Sequence, residues 1–246
     1  MSMSKAKAET KPLPKRFYKD VAVGEVEGVL TILLDGRAVK TPARNTLSAP
    51  YENLAFAMAQ EWADQDEVIN PFIMPLTRLA HVAVDNMAQY RQAAALEIAK
   101  YASTDLLCYR AEDTVLAARQ AKAWTPYLDW AASALDARFD ITEGVVAIEQ
   151  PHGSIEALRR HALALDNWRL TGLSSAVPIL SSAILGFALL EAEGSGENLF
   201  EASRLDETYQ SERWGEDSEA AQAAANKKRD LLAIERLFRL LDEAEG

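Results

Sequence analysis

The sequence has one cysteine, Cys108, among 246 residues. A single cysteine forms no intramolecular disulfide and supplies no CxxC metal or redox site. Because Cys108 follows two leucines, we expect a buried, unreactive thiol. The three histidines, His81, His152 and His161, lie far apart and show none of the spacings that bind zinc. The sequence therefore predicts no metal site, and we expect no cofactor.

The motifs of common enzyme classes are also missing. There is no GxSxG nucleophile elbow. Gly194-Ser195-Gly196 lacks the third glycine and the Lys-Ser/Thr pair of a phosphate-binding loop. We therefore predict that the protein is not an enzyme. The alternative that stays open is a small-molecule enzyme acting in an interdomain cleft through Asp64, Asp85 or Asp105.

Positive charge is scarce outside the N-terminus. The net charge is −11, yet residues 1–19 carry six lysines and arginines against one glutamate, so the rest of the chain totals −16. An acidic body argues against nucleic acid and anionic membranes as partners, because both require clustered cations. It is compatible with a basic protein partner, or with solubility alone. Residues 1–15 contain no secretory signal, and we expect a disordered basic leader there.

One long uncharged run, residues 170–190, has the length of a membrane span. Glycines, serines and Pro178 dilute its apolar character. We expect it to be the buried centre of a helical domain, divided by Pro178, and we expect no membrane insertion.

The hydrophobic patterning predicts an α+β fold. We expect a small β-rich N-terminal domain over 16–91, followed by a mainly α-helical C-terminal bundle domain over 92–246. Alternation around Asp35-Gly36 predicts a hairpin, with strands near 17–23, 28–34 and 37–41. Apolar spacing then predicts helices near 50–64, from Pro75 to Tyr90, and over 92–104, 113–138, 153–168, 179–192, 197–213 and 217–243. A further strand is expected at 145–148.

Two segments hold residues beyond what regular packing needs. The first contains Trp62, Gln65 and Pro75, which we interpret as a structural motif fixing the angle between two helices. The second is residues 201–219, with seven acids against Arg204 and Arg213. In a helix, Asp206 lies on or beside an apolar stripe, so its carboxylate either pairs within the fold or waits for a partner's cation. An ordinary solvated helix is the alternative.

Several short motifs follow one another in a specific order. They are Arg16-Phe17-Tyr18-Lys19, Leu34-Asp35-Gly36-Arg37, Lys40-Thr41-Pro42, Glu61-Trp62, Gln65, Met74-Pro75-Leu76-Thr77, Tyr101, Asp105-Leu106-Leu107, Tyr109, Gln120, Trp124, Ala202-Ser203, Leu205, Gln210 and Trp214-Gly215. Over residues 15–216 this ordered set resembles the ATP12 family, the assembly chaperones of the F1 sector of ATP synthase.

The resemblance implies a non-enzymatic chaperone that binds the free F1 α subunit and prevents its aggregation until the β subunit arrives. It also implies partner-binding residues on the C-terminal motif, namely Asp206, Glu207, Tyr209, Gln210 and Trp214. A functional glutamate of the family is best matched by Asp206, with Glu207 adjacent. We expect a monomer in the cytoplasm of an α-proteobacterium, or in the mitochondrial matrix if the source is eukaryotic. A structural adaptor that stays in a stable complex is a further alternative.

Overall fold

A computed structural model describes residues 12–144, 146–215 and 217–244. The strands are β1 (Val21–Val26), β2 (Val29–Leu34), β3 (Arg37–Ala38), β4 (Tyr109–Arg110) and β5 (Thr142–Glu143). The helices are α1 (Glu52–Ala63), α2 (Pro75–Asp85), α3 (Met87–Ser103), α4 (Thr114–Ala134), α5 (His152–Ala164), α6 (Asn167–Leu180), α7 (Ala183–Leu190), α8 (Gly196–Ser203), α9 (Leu205–Trp214) and α10 (Ser218–Asp242). A small N-terminal sheet followed by helices confirms the predicted α+β class.

The N-terminal sheet has the order β1-β2-β3, and both pairings are antiparallel. The predicted hairpin turn is confirmed, since Asp35 and Gly36 both have positive φ, as a two-residue turn of this hand requires. The Asp35 carboxylate accepts hydrogen bonds from the Lys19 and Asp20 amides at 3.0 and 2.9 Å. These two residues therefore precede the sheet, and β1 begins at Val21, later than predicted.

The third strand is shorter than the predicted 37–41. It ends at Ala38, because the chain then closes a local loop in which Lys40 bridges to Thr46 and the Thr41 amide donates to the Asn45 carbonyl. Helix α1 covers the sheet, contacting β1 and β2. Its buried face includes Leu54, Ala55, Met58 and Trp62, as the apolar spacing predicted.

The uncharged run differs from its predicted form. It lies in α6 and α7, and the break falls at Ser181 and Ser182 instead of Pro178, which lies inside α6. Ser181 adopts a left-handed conformation, and the Ser182 hydroxyl accepts from the Leu185 amide, which ends one helix and starts the next. In the described part of the chain, no helix has both the length and the apolarity to cross a bilayer.

Three more predicted elements are corrected by the backbone. The helix from Pro75 stops at Asp85, because Asn86 is not helical, and α3 then runs unbroken through the predicted domain boundary at residues 91–92. The predicted helix 197–213 is two helices, separated at Arg204. The predicted helix 153–168 ends at Ala164, since Asp166 caps the start of α6.

The strand expected at 145–148 is not found where the chain is described. Residues 146–148 are irregular, Val145 lies outside the described residues, and the short strand β5 precedes it at 142–143, parallel to β4. Residues 1–11 of the predicted leader also lie outside the described residues. Of the remainder, Pro14 accepts from the Ile69 amide at 2.8 Å and Lys15 bridges to Val68.

One cluster of buried apolar side chains extends from Tyr18 in the sheet layer to Leu241 in α10. Helix α10 contacts α1, α2, α6, α7 and α8. It is tied to the N-terminal part by a hydrogen bond from Asn53 to the Leu240 carbonyl at 2.6 Å. The Arg78–Asp230 ion pair, at 2.8 Å, adds a link to α2. The division into two domains therefore stays a prediction.

Cys108 lies within this cluster and has no exposed surface. Burial, with the nearby Asp105 carboxylate, raises the pKa of its thiol to about 12. The prediction of a buried thiol is confirmed, and such a thiol has almost no nucleophilic thiolate form at neutral pH.

Candidate partner-binding site

Helix α9 carries all five residues that the sequence assigned to partner binding. Trp214 is 77% exposed at the C-terminal end of the helix, and Glu207 and Gln210 are also exposed. Tyr209 is buried and Asp206 is half-buried, so these two face the fold. The predicted set is thus divided into an outward-facing group and an anchoring group.

The outward-facing residues line a groove of about 540 Å³ between α9 and the first turns of α10. Glu207, Gln210 and Trp214 lie on the α9 side, and Ala220, Ala221 and Ala224 are on the α10 side. Because alanine side chains are short, the groove stays open along α10. It offers an aromatic ring, a carboxylate and an amide along one channel.

The Tyr209 hydroxyl anchors α9 to α4. It donates to the Asp113 carboxylate at 3.0 Å and accepts from the Arg213 guanidinium, which also reaches Asp113 at 3.2 Å. Asp113 in turn caps α4 by accepting from the Leu116 and Val115 amides, and these bonds together hold its pKa below the usual value. Charge-assisted bonds of this kind fix α9 in place.

Two arginines enclose the Tyr209 ring. The guanidiniums of Arg213 and Arg119 lie 4.2 and 5.1 Å from the ring centroid. Arg119 also pairs with Glu212 at 2.7 Å. Burial and the bond to Asp113 raise the pKa of the Tyr209 hydroxyl, so it remains a donor at neutral pH.

The two adjacent carboxylates of α9 have different surroundings. Asp206 accepts from the Gln120 side-chain amide at 2.7 Å and forms no ion pair with a described residue. Gln120 is itself buried and accepts from the Ala111 amide at 2.8 Å. Glu207, whose side chain is 53% exposed, lies 3.7 Å from Arg204. Asp206 is therefore part of the fold's hydrogen bonding, while Glu207 faces solvent.

The block around Trp62, Gln65 and Pro75 joins α1 to α2. The Gln65 side chain donates to the Glu61 carbonyl at 2.8 Å and accepts from the Asn70 amide at 2.6 Å. The Trp62 carbonyl accepts from the Tyr18 hydroxyl at 2.7 Å. Pro75 is the first residue of α2, where its missing N–H costs nothing. These contacts support the structural role that the sequence suggested.

Sequence reasoning did not find the role of Glu61, which is central to this block. Its buried carboxylate accepts from the Leu76 and Thr77 amides, each at 2.8 Å, and so caps α2 from another helix. Burial raises the pKa of this carboxyl. Its neighbour Trp62 has an indole nitrogen that is buried and lacks an acceptor among the described residues.

The three carboxylates of the enzyme alternative each hold local structure. Asp64 accepts from Gln60 at the end of α1. Asp85 holds the loop after β3 by accepting from the Thr41 hydroxyl, the Ala43 backbone amide and the Asn45 side-chain amide at 2.5, 3.0 and 2.8 Å.

Asp105 is fully buried and is the most perturbed of the three. It accepts from the Ser182 hydroxyl at 2.7 Å and from the Leu107 and Ile184 amides at 3.1 Å each. Burial raises its pKa to about 6. Among the described residues, no group of three or more histidines, cysteines or carboxylates is arranged to hold a metal ion.

Solved structures resemble this fold over nearly its whole length. Atp12 from Paracoccus denitrificans is 38% identical, with a TM-score of 0.87, and the match covers 92% of this chain and 98% of that one. The sequence model of the ATP12 chaperone protein family matches residues 15–132. The chain belongs to the ATP12 family. The resemblance inferred from the ordered motifs is therefore confirmed.

Two further relatives extend the comparison within the ATP12 family. A protein from Agrobacterium tumefaciens is 42% identical, with a TM-score of 0.88, over 94% of this chain and 88% of that one. The mitochondrial protein atp12 of Schizosaccharomyces pombe is 25% identical over 222 residues, covering 83% of this chain and 76% of the relative. The family model ends before α9, so similarity across the candidate site rests on the longer matches.

Proposed function

We propose that this ATP12 family member is an assembly chaperone of ATP synthase that binds the free F1 α subunit. The family whose model matches this chain is described as a chaperone protein family, which supports a function in binding another protein. A subunit separated from its assembly partner exposes apolar surface, and such surface aggregates. A chaperone that covers this surface reversibly, and is displaced when β binds, needs no covalent chemistry.

The exposure of Trp214 is the observation that carries the proposed site. A tryptophan that is 77% exposed contributes little to its own fold, yet α9 is held rigidly by the Tyr209–Asp113–Arg213 contacts. Rigid aromatic side chains are the usual energetic centres of protein interfaces. We assign Trp214 to an apolar pocket of the client, with Gln210 and Glu207 forming the polar rim.

The difference in exposure between the neighbouring carboxylates of Asp206 and Glu207 suggests that they have different roles. Glu207 is free to meet a cation of the client, because among the described residues its one ion pair is a long one, at 3.7 Å from Arg204. Asp206 positions α9 through Gln120. We therefore assign partner contact to Glu207 and a positioning role to Asp206.

Light scattering of isolated α subunit, with and without this protein, tests the proposal. We expect the wild-type protein to suppress aggregation, and Trp214→Ser and Glu207→Lys each to weaken the affinity for α by about 10-fold or more. Asp129→Lys, which reverses an exposed acid on α4, is the matched control and should behave as wild type. Circular dichroism should be unchanged in all three variants.

The outcomes separate the parts of the proposal. If the wild-type protein leaves aggregation unchanged, the function itself is wrong. If wild type protects α and both α9 variants protect it equally well, α9 is not the binding site. Co-purification with mature enzyme at equal stoichiometry would favour the adaptor alternative.

We also propose that the protein acts as a monomer in a bacterial cytoplasm. The bacterial relatives are the more similar ones, at 38% and 42% identity against 25% for the mitochondrial protein. Light scattering coupled to size-exclusion chromatography would test the oligomeric state, and a mass near twice 27.1 kDa would contradict it.

A further inference from the structure

Phe17 is a second exposed aromatic residue on a firmly held backbone. Its side chain is 74% exposed. On one side, the Arg16 guanidinium donates to the Tyr18 and Ala63 carbonyls, both at 3.2 Å, and to the Gln65 carbonyl. On the other side, Tyr18 is buried. The backbone at Phe17 is therefore held in place while its ring is exposed to solvent. An exposed ring adds little hydrophobic stabilisation to the fold.

A pocket of about 600 Å³ lies beside this ring. Leu34, Val39 and Trp62, all buried residues, line it together with Phe17. A cavity of this size is within the range that binds small ligands or a few side chains of a peptide. The part of the lining formed by these four residues is apolar, so it fits an apolar side chain.

The rim of the pocket has a positive balance in an acidic protein. Arg37 makes no hydrogen bond or ion pair with a described residue, and Lys40 donates only to the Thr46 hydroxyl. Among the described residues that line the pocket, the one acid is Asp35, whose carboxylate accepts from two backbone amides that hold its pKa below the usual value. Two cations with free capacity therefore face solvent, while the whole chain carries a charge of −11.

We infer that this Phe17 pocket, consisting of Phe17, Leu34, Arg37, Lys40 and Trp62, is a second contact surface for the client protein. The segment it takes carries an apolar side chain flanked by acidic residues. The inference rests on the proposed function, since the client is the free α subunit. Two modest contact surfaces on one client give a combined affinity above that of either surface alone.

Charge argues against the chain's own N-terminal residues as the occupant. Residues 1–11 of this chain hold three lysines against one glutamate, so they are repelled by the rim. Whether a second copy of the protein occupies the pocket instead is decided by photo-crosslinking at position 17.

Charge reversal at Arg37 tests the surface. We expect Arg37→Glu to weaken binding of intact α subunit by about 10-fold at low salt, with a smaller difference at high salt, because the rim charge acts through solvent. Arg160→Glu is the matched control, since Arg160 is also exposed and unbonded in the described structure. Equal affinity of the Arg37→Glu variant and wild type at low salt would overturn the inference.

Photo-crosslinking identifies the occupant directly. A photoreactive phenylalanine analogue at position 17 should cross-link to one segment of α, and mass spectrometry should find acidic residues within it. The same analogue at position 56 is the control, because Phe56 is 59% exposed but lies outside the pocket. A cross-link to a second copy of the chaperone, or none above the Phe56 control, overturns the proposal.

The failures of the two proposals are distinguishable. If wild type does not bind α at all, the proposed function fails and the second contact fails with it. If wild type binds α and the Trp214→Ser variant binds weakly, while Arg37→Glu binds normally, only the second contact is wrong.

Discussion

At the residue scale, the buried carboxyl of Asp105 makes stability depend on pH. Burial raises its pKa from 3.8 to about 6, so the folded state holds the proton more tightly than the unfolded state. Its contribution to stability is complete below about pH 4 and is lost as the pH rises through 6. A shift of about two pKa units corresponds to about 3 kcal/mol.

Replacing Asp105 isolates this contribution. We expect the free energy of unfolding of wild type, relative to that of Asp105→Asn, to fall by about 3 kcal/mol between pH 4 and pH 7. Urea unfolding at several pH values, followed by circular dichroism, measures it. Taking the difference between the two proteins removes the effects of the other carboxyls. Parallel pH curves for the two would contradict the prediction.

The Tyr209 hydroxyl is the second test at this scale. Tyr209→Phe removes its bonds to Asp113 and Arg213 while keeping the ring between the two arginines. We expect amide hydrogen exchange in α9 to become about 3- to 10-fold faster, which corresponds to a net loss of about 1 kcal/mol, because Arg213 keeps its contact with Asp113. Tyr90→Phe, at an exposed tyrosine, is the control. Unchanged exchange in α9 would mean that other contacts hold the helix.

At the scale of elements, α6 and α10 approach closely at Gly172. A Cβ atom on Gly172 would collide with the buried ring of Phe238. We expect Gly172→Ala to lower the free energy of unfolding by about 1–2 kcal/mol, because overpacking outweighs the gain in helix propensity. Gly153→Ala is the matched control, since a Cβ there meets nothing within 4 Å.

A second substitution sharpens this test. Phe238→Leu should recover much of the loss caused by Gly172→Ala, because it removes the atoms that collide. Thermal or urea unfolding of the two single variants and the double variant gives the coupling energy. Additive effects would show that the two residues do not meet.

The existence of most elements followed from the sequence, whereas several boundaries did not. The hairpin at Asp35-Gly36 and the buried face of α1 have strong local signals. The breaks at Asn86, at Ser181-Ser182 and at Arg204 have weaker signals, because only one or two residues leave helical geometry at each. Pro178 misled the prediction, since a proline inside a helix usually breaks it.

The candidate site shows the same contrast. An acidic, aromatic segment with family-like residues was visible in the sequence. The different surroundings of Asp206 and Glu207 were not visible in the sequence, because the Asp206 carboxylate bonds to Gln120, which is 86 residues away along the chain. The contact surface proposed at Arg37 and Phe17 also required the structure, since β2, β3 and the segment before β1 form this pocket together with α1.

At the scale of the whole molecule, the continuous core predicts how the chain unfolds. Buried side chains form one cluster from Tyr18 to Leu241, and α10 bonds to both α1 and α2. We expect a single cooperative transition in urea, with tryptophan fluorescence and circular dichroism changing together. Two separated transitions would instead favour the domain division predicted from the sequence.

The burial of Cys108 makes the reactivity of its thiol a measure of how often the surrounding core opens. A maleimide or disulfide reagent reaches the thiol only when the surrounding core opens, because the side chain has no exposed surface and its pKa is about 12. The labelling rate in native buffer therefore reports how often that region opens, without any engineered probe. A bound protein partner would slow the labelling only if it reduced how often this part of the core opens.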